Sequence, residues 1–209
     1  MSEKPSFIRF AGDTVIKSFN EAVLFYRELT VYQRHLPATP KLLGFVEPLE
    51  IVLERISGIP YTDDPDGFDS ALLAKRIAAF HLSSFDGDKC LCHIDNQPKN
   101  ILYDGNDYYL IDFSDSRFET PEYDLSHLML FWADMFEPAR MQSLVGQFLS
   151  EYQKLASLDS DRWESCLRQN ILRFDERRAQ YNKKPPLLTI EMISENRDYL
   201  FGTKGSTLQ

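Results

Sequence analysis

The sequence predicts an α+β protein: a small β-rich part at residues 1–57, then a larger and mostly helical part at 58–209. Three observations carry this. Short apolar segments bounded by turn formers fill the first 57 residues. A stretch rich in Gly, Pro and Asp follows at 58–67 and reads as a linker. Beyond residue 123 the apolar spacing is that of helices.

In chain order, residues 6–10 and 14–19 are short apolar segments around Ala11, Gly12 and Asp13, which reads as a β-hairpin. Asn20 has the chemistry of an N-cap, and a helix runs from it towards His35 until Pro37 and Pro40 end it. Strands are expected at 41–46 and 49–56. Past the linker, residues 70–85 carry the helical period, with Leu72, Leu73, Ile77, Phe80 and His81 near one face. Segments 91–94, 101–103 and 108–111 read as short strands, the last two joined by a tight turn at Asp104, Gly105 and Asn106. Helices are expected over 125–135, 138–158, 161–181 and 189–199.

The chain has 209 residues, 43% of them hydrophobic, and a formal net charge of −9. Such an acidic balance argues against a nucleic-acid partner, whose binding protein should present a basic footprint. It mildly favours a cationic small-molecule substrate. No apolar run reaches the roughly 20 residues of a membrane-spanning helix, so no membrane partner is expected. The polar start at Met1 lacks the apolar core of a signal peptide, so a cytoplasmic location is expected. Three cysteines, an odd number, fit a reducing compartment. Cys90, Cys92 and His93 lie close together, but Cys-x-Cys is not the usual zinc spacing and no second Cys/His pair follows. They read better as strand residues leading into a loop.

The polar residues that stand out lie on that loop and just beyond it. His93-x-Asp95 followed after four residues by Asn100 supplies a carboxylate and an amide between two short strands. Asp112 comes directly after the apolar strand Tyr109-Leu110-Ile111. A hairpin formed by 101–103 and 108–111 would return Asp112 to the neighbourhood of Asn100. Oxygen donors of this kind suit a hard cation such as magnesium, and a nearby carboxylate suits the orientation of a hydroxyl.

These motifs resemble those of the aminoglycoside phosphotransferase and choline kinase type of enzyme, which share the protein-kinase fold. Their catalytic loop, His-Gly-Asp followed after four residues by Asn, is similar to His93-Ile94-Asp95 and Asn100 here. Their metal motif is similar to Leu110-Ile111-Asp112-Phe113, and Asp124 in Pro121-Glu122-Tyr123-Asp124-Leu125 looks like the Asp that opens their next helix. Upstream, Lys17 in Thr14-Val15-Ile16-Lys17 resembles the phosphate-binding lysine and Glu28 its helix partner. The segment 51–58 resembles the one whose backbone binds adenine, with Glu54 and Ile56 at the nucleotide.

The resemblance implies a bilobal kinase-like fold and an ATP- and Mg2+-dependent transfer of the γ-phosphate to a small-molecule hydroxyl. Asp95 would be the catalytic base, Asn100 and Asp112 the magnesium ligands. Lys17, steadied by Glu28, would contact phosphate. His93 and Asp124 would brace the catalytic loop. Two departures stand out. Only one strand precedes the strand of Lys17, with Gly12 the sole glycine in that stretch, so the first strand and the glycine-rich loop over the phosphates are expected to be missing. Ile94 stands where the family has glycine. A weakened kinase fold serving as a nucleotide-binding or interaction module, and a compact atypical protein kinase, are the competing readings.

Several residues have plainer readings. Glu21 rivals Glu28 as partner of Lys17 but fits the first turn of the helix. His81, Phe131, Trp132 and Trp163 read as core. Glu119, Glu122, Asp134 and Glu137 read either as an acidic wall for a cationic acceptor or as a solvated face.

Overall fold

Turn-forming residues punctuate the N-terminal third, and the chain folds back at each of them. The computed structural model describes residues 6–47, 49–64 and 67–182. Strands β1 (Ser6–Ala11) and β2 (Thr14–Phe19) form the expected hairpin, in register from Ser6↔Phe19 to Ala11↔Thr14. Gly12 at the tip has φ +60°, a left-handed backbone that glycine adopts at no steric cost. With β3 (Leu42–Val46) and β4 (Glu50–Glu54) the hairpin completes a four-stranded antiparallel sheet of order β1-β2-β4-β3.

Helix α1 (Ala22–Tyr32) follows β2 and buries Phe25, Glu28, Leu29 and Tyr32 along one stripe. Its N-cap is Glu21 rather than Asn20, and no side chain caps it. The described residues of the expected linker, 58–64 and 67, include regular structure. They hold the two-residue strand β5 (Ile59–Pro60) and a 3-10 turn at Tyr61–Asp63. Strands β7 (Ile101–Tyr103) and β8 (Tyr108–Leu110) form the hairpin expected from the turn at Asp104, and β5 joins it in the order β5-β7-β8. Gly58 is required here, because a Cβ at this position would lie 2.7 Å from the Tyr103 carbonyl oxygen.

The chain forms two compact units. The first comprises residues 1–68 and 95–117, and the second residues 69–94 and 118–209. The four-stranded sheet, α1 and the β5-β7-β8 sheet all belong to the first.

In the second unit, α2 (Ser70–Leu82) opens on Asp69, whose carboxylate accepts from the N–H groups of Ala71 and Leu72. Strand β6 (Cys90–Cys92) is fully buried and pairs with β9 (Arg117–Glu119), a strand absent from the expected set. Helices α3 (Pro121–Met135), α4 (Pro138–Gln153) and α5 (Ser160–Asn182) complete the described residues. Helix α3 begins four residues earlier than the apolar period suggests, because Pro121 sits at its first turn, where proline's missing N–H costs nothing. Trp132 and Trp163 are 0% and 1% exposed, as a core role requires. The helix expected at 189–199 lies outside the described residues. No described helix is long and apolar enough to cross a membrane.

Candidate active site

Alternation along β2 decides the position of the first charged group. Lys17 and Phe19 share the inward face, and Lys17 is 4% exposed with its ammonium 5.2 Å from the Phe19 ring centre. A buried ammonium needs partners. It finds Glu28, fully buried on the inner stripe of α1, and Asp112 Oδ1 at 2.7 Å. Glu21 is not involved.

Asp112 follows β8, reached through the hairpin. The Ile111 N–H donates to the Asn100 carbonyl at 2.9 Å, which extends the ladder Ile101↔Leu110 by one step and fixes Asp112 relative to Asn100. Asp112 has φ +66°, a conformation that Asp tolerates better than most residues. Ser114, two residues on, donates its hydroxyl both to Glu28 and to Asp112 Oδ1 (2.9 Å), and Arg27 of α1 donates to the Ser114 carbonyl at 2.6 Å. Phe113 packs edge-on against Tyr32 at 5.3 Å.

Asp95, half-buried, shares two contacts with Asn100. The Asn100 Nδ2 donates to the Asp95 carbonyl at 2.8 Å and to Asp95 Oδ2 at 3.1 Å. With both donors turned towards Asp95, the amide oxygen of Asn100 points the other way. Gln97 Nε2 donates to Asp95 Oδ2 at 2.7 Å.

Charge follows from this packing. Burial disfavours charged Lys17, but Glu28 and Asp112 outweigh it and hold the ammonium above its ordinary pKa. Burial pushes the Asp112 carboxyl upward; Lys17, then the Ser114 hydroxyl, more than offset this and hold it down at about 2. Glu28 is driven by burial up to about 7, against the pull of Lys17. One lysine faces both Glu28 and Asp112, a surplus of acidic groups that a divalent cation would offset. Asp112 Oδ1 is engaged by Lys17 and Ser114. Asp112 and Asn100 both line a common cleft, and their side-chain oxygens are hard donors of the kind magnesium takes.

A cleft of about 670 Å³ opens onto these groups within the first unit, lined by Lys17, Asn100 and Asp112 on the polar side and by Val15, Leu53 and Leu102 among its apolar residues. Glu54 and Ile56 also line it. The Glu54 N–H is used by the Lys41 carbonyl and the Arg55 N–H by the Asp13 carbonyl, while the Ile56 N–H has no partner among the described residues. Arg55 donates to the Gly12 carbonyl at 3.3 Å and lies 5.1 Å over the Phe10 ring, strapping the β1–β2 tip to this segment.

The two remaining expected residues lie in the second unit. The Asp124 carboxylate, 3% exposed, accepts from the His93 N–H at 3.0 Å, the Ile94 N–H at 2.8 Å and His81 Nε2 at 3.2 Å. Burial opposes its charge, yet the His81 hydrogen bond and the charges of His81 and His93 outweigh burial and lower its pKa. Ile94 takes φ +68° with a fully buried side chain. Glycine would sit there without strain, so the departure at this position has a backbone cost of about 1–2 kcal/mol.

The structure thus brings Lys17, Glu28, Asp95, Asn100 and Asp112 together in one unit, with Glu54 and Ile56 on the same cleft. Sequence reasoning missed Gln97 and Ser114, whose signal was their place two residues after Asp95 and Asp112. Tyr32, which also lines the cleft, had no signal.

Comparison with known proteins adds a family match over part of the chain, and the fold. A model described as the phosphotransferase enzyme family matches residues 61–163. The choline/ethanolamine kinase family protein from Mesorhizobium loti superposes with a TM-score of 0.59 at 12% identity, covering 97% of this chain and 84% of that one. Aminoglycoside phosphotransferase APH(3'')-Id from Streptomyces rimosus, in complex with ADP and streptomycin, gives 0.56 at 15% identity, covering 75% and 85%. The amicoumacin kinase hAmiN, in complex with AMP-PNP and Ca2+, gives 0.63 at 12% identity, covering 98% and 90%. The fold is the kinase-like one these proteins share. No curated protein matches the chain by sequence.

Proposed function

With residues 61–163 matching the model of the phosphotransferase enzyme family, we propose that this chain transfers the γ-phosphate of ATP to a hydroxyl of a small molecule, with Asp95 accepting the hydroxyl proton. The observation that carries the proposal is the joint placement of Lys17, Asn100 and Asp112 on one cleft, with Asp95 hydrogen-bonded to Asn100. Magnesium, when bound, would offset the charge on the phosphates. Asn100 and Asp112 would hold it.

The chain's own residues do the rest. Lys17 meets phosphate oxygens, oriented by Glu28 so that its ammonium cannot turn away. Gln97 and Asn100 both donate to Asp95 Oδ2 and so fix the orientation of its carboxylate. The Ile56 N–H is a donor suited to the adenine edge. Asp124 and His93 fix the backbone that leads into Asp95. An acidic chain suits a cationic acceptor.

The test is ATP consumption with Mg2+ across a panel of hydroxyl-bearing amines, sugars and aminoglycosides. Turnover is expected for at least one acceptor and should fall by about 10²–10⁴ in Asp95→Asn. Undiminished turnover in that variant would refute the assignment.

A further inference from the structure

Outside the cleft, the second unit holds a cluster that phosphoryl transfer does not use. Cys90 and Cys92 project from the same face of β6, as i and i+2 residues of a strand must, and both are 0% exposed. Their sulfurs lie 3.7 Å apart without a disulfide. A ring nitrogen of His81, from α2 and also 0% exposed, completes a set whose ligand atoms all lie within 4.8 Å of one another. Cys-x-Cys alone was too sparse in sequence to suggest a site. The third ligand arrives from a helix nine residues upstream.

We propose that His81, Cys90 and Cys92 form a buried site for a thiophilic divalent cation of the zinc class. Three features support it. Two thiolates bonded to a tetrahedral zinc at ~2.3 Å stand ~3.8 Å apart, and these sulfurs are already at that spacing. His81 Nε2 is turned to the Asp124 carboxylate at 3.2 Å, the arrangement in which a metal-binding histidine gives its second N–H to a carboxylate. That leaves Nδ1 with its lone pair, now facing the Tyr152 hydroxyl at 2.8 Å, which is placed to serve as the fourth group or to hold a fourth ligand. The charge also closes. Binding releases one proton from each thiol, so the dication, two thiolates and a neutral imidazole are together neutral, and the Asp124 carboxylate beside them is held by the His93 and Ile94 N–H groups. The site stands independently of the phosphotransfer reading. Its position is nevertheless telling: it grips the strand that runs directly into His93 and Ile94, and shares Asp124 with their backbone.

Protein produced in zinc-supplemented medium and purified without chelator is expected to carry one zinc per chain by plasma mass spectrometry. Replacement by cobalt(II) should give an intense near-ultraviolet thiolate-to-metal band together with the visible bands of tetrahedral cobalt. Cys90→Ser and Cys92→Ser should each abolish the thiolate band, and Cys166→Ser should leave it intact. Magnesium-type oxygen ligands cannot produce that band, so the readout is blind to the cleft. Should a serine variant fail to fold, the wild-type spectrum decides alone. No zinc and no thiolate band at saturating cobalt overturns the site, as does a band that survives Cys90→Ser and vanishes in Cys166→Ser.

Discussion

Two aspartates show how differently the same side chain can be used. Asp112 has a side chain 43% exposed, one oxygen held by Lys17 and Ser114 and the other open to the cleft. Asp124 has a side chain 3% exposed, and its partners are two backbone N–H groups and a buried imidazole. Both carboxyls are held below their ordinary pKa. The first has partners that can be exchanged for a cation, whereas the second is locked into the fold. A depressed pKa therefore does not distinguish a reacting carboxylate from a bracing one; exposure and the identity of the donors do.

Substitution should separate the two along different axes. Asp112→Asn keeps shape and removes charge, so ATP turnover should drop about a thousandfold while the urea midpoint stays close to that of the wild type. Asp124→Ala should do the reverse first, destabilising the fold by about 3 kcal/mol because two buried N–H groups and His81 lose their acceptor. A chevron or equilibrium urea titration reads this directly. An Asp124→Ala protein of unchanged stability would collapse the comparison.

A smaller effect lies beside Asp124. Ile94→Gly relieves about 2 kcal/mol of left-handed strain but deletes a fully buried side chain worth about 4, so a net loss of about 2 kcal/mol is expected in denaturant. The smallest is a change of slope with pH, and its sign differs for the two carboxyls on Lys17. Glu28 has an ordinary value of 4.5 and a folded one of about 7, so the folded state holds the extra proton in that window and stability declines as pH rises through it. Asp112 runs the other way: its contribution is present above 3.8 and is lost as pH falls towards about 2. Glu28→Gln should flatten the decline between 4.5 and 7 and leave the acid-side loss in place, as measured by unfolding midpoints across that range.

What the sequence disclosed was whatever local geometry could fix. Asp95 and Asn100 share one loop, and the Asp104 turn implies the hairpin that brings back Asp112. Lys17 and Glu28 are consecutive strand and helix. Long-range matters were hidden. The clustering of 95–117 with the first 68 residues is a tertiary fact with no local pattern, as is the arrival of His81 at Cys90 and Cys92. Helix entry was misjudged at Asn20 because a good capping residue need not be used. Strand β9 escaped notice because three residues, Arg117–Glu119, are too few for a period to show.

The hairpin between Asn100 and Asp112 also bears on how this chain could vary or be rebuilt. The spacing of the two residues is set at the base of the ladder, by Ile111 on Asn100 and Ile101 opposite Leu110. The distal end, at Asp104–Asp107, contributes nothing to that spacing. Extra residues spliced in at the tip would cost only loop-closure entropy, about 0.6 kcal/mol per doubling of loop length. A single deletion inside β7 or β8 would instead turn the side chains on one side of the cut to the opposite face. Tags, probes or a new chain break therefore belong at the tip, and the three-residue strands below it are where length is not negotiable.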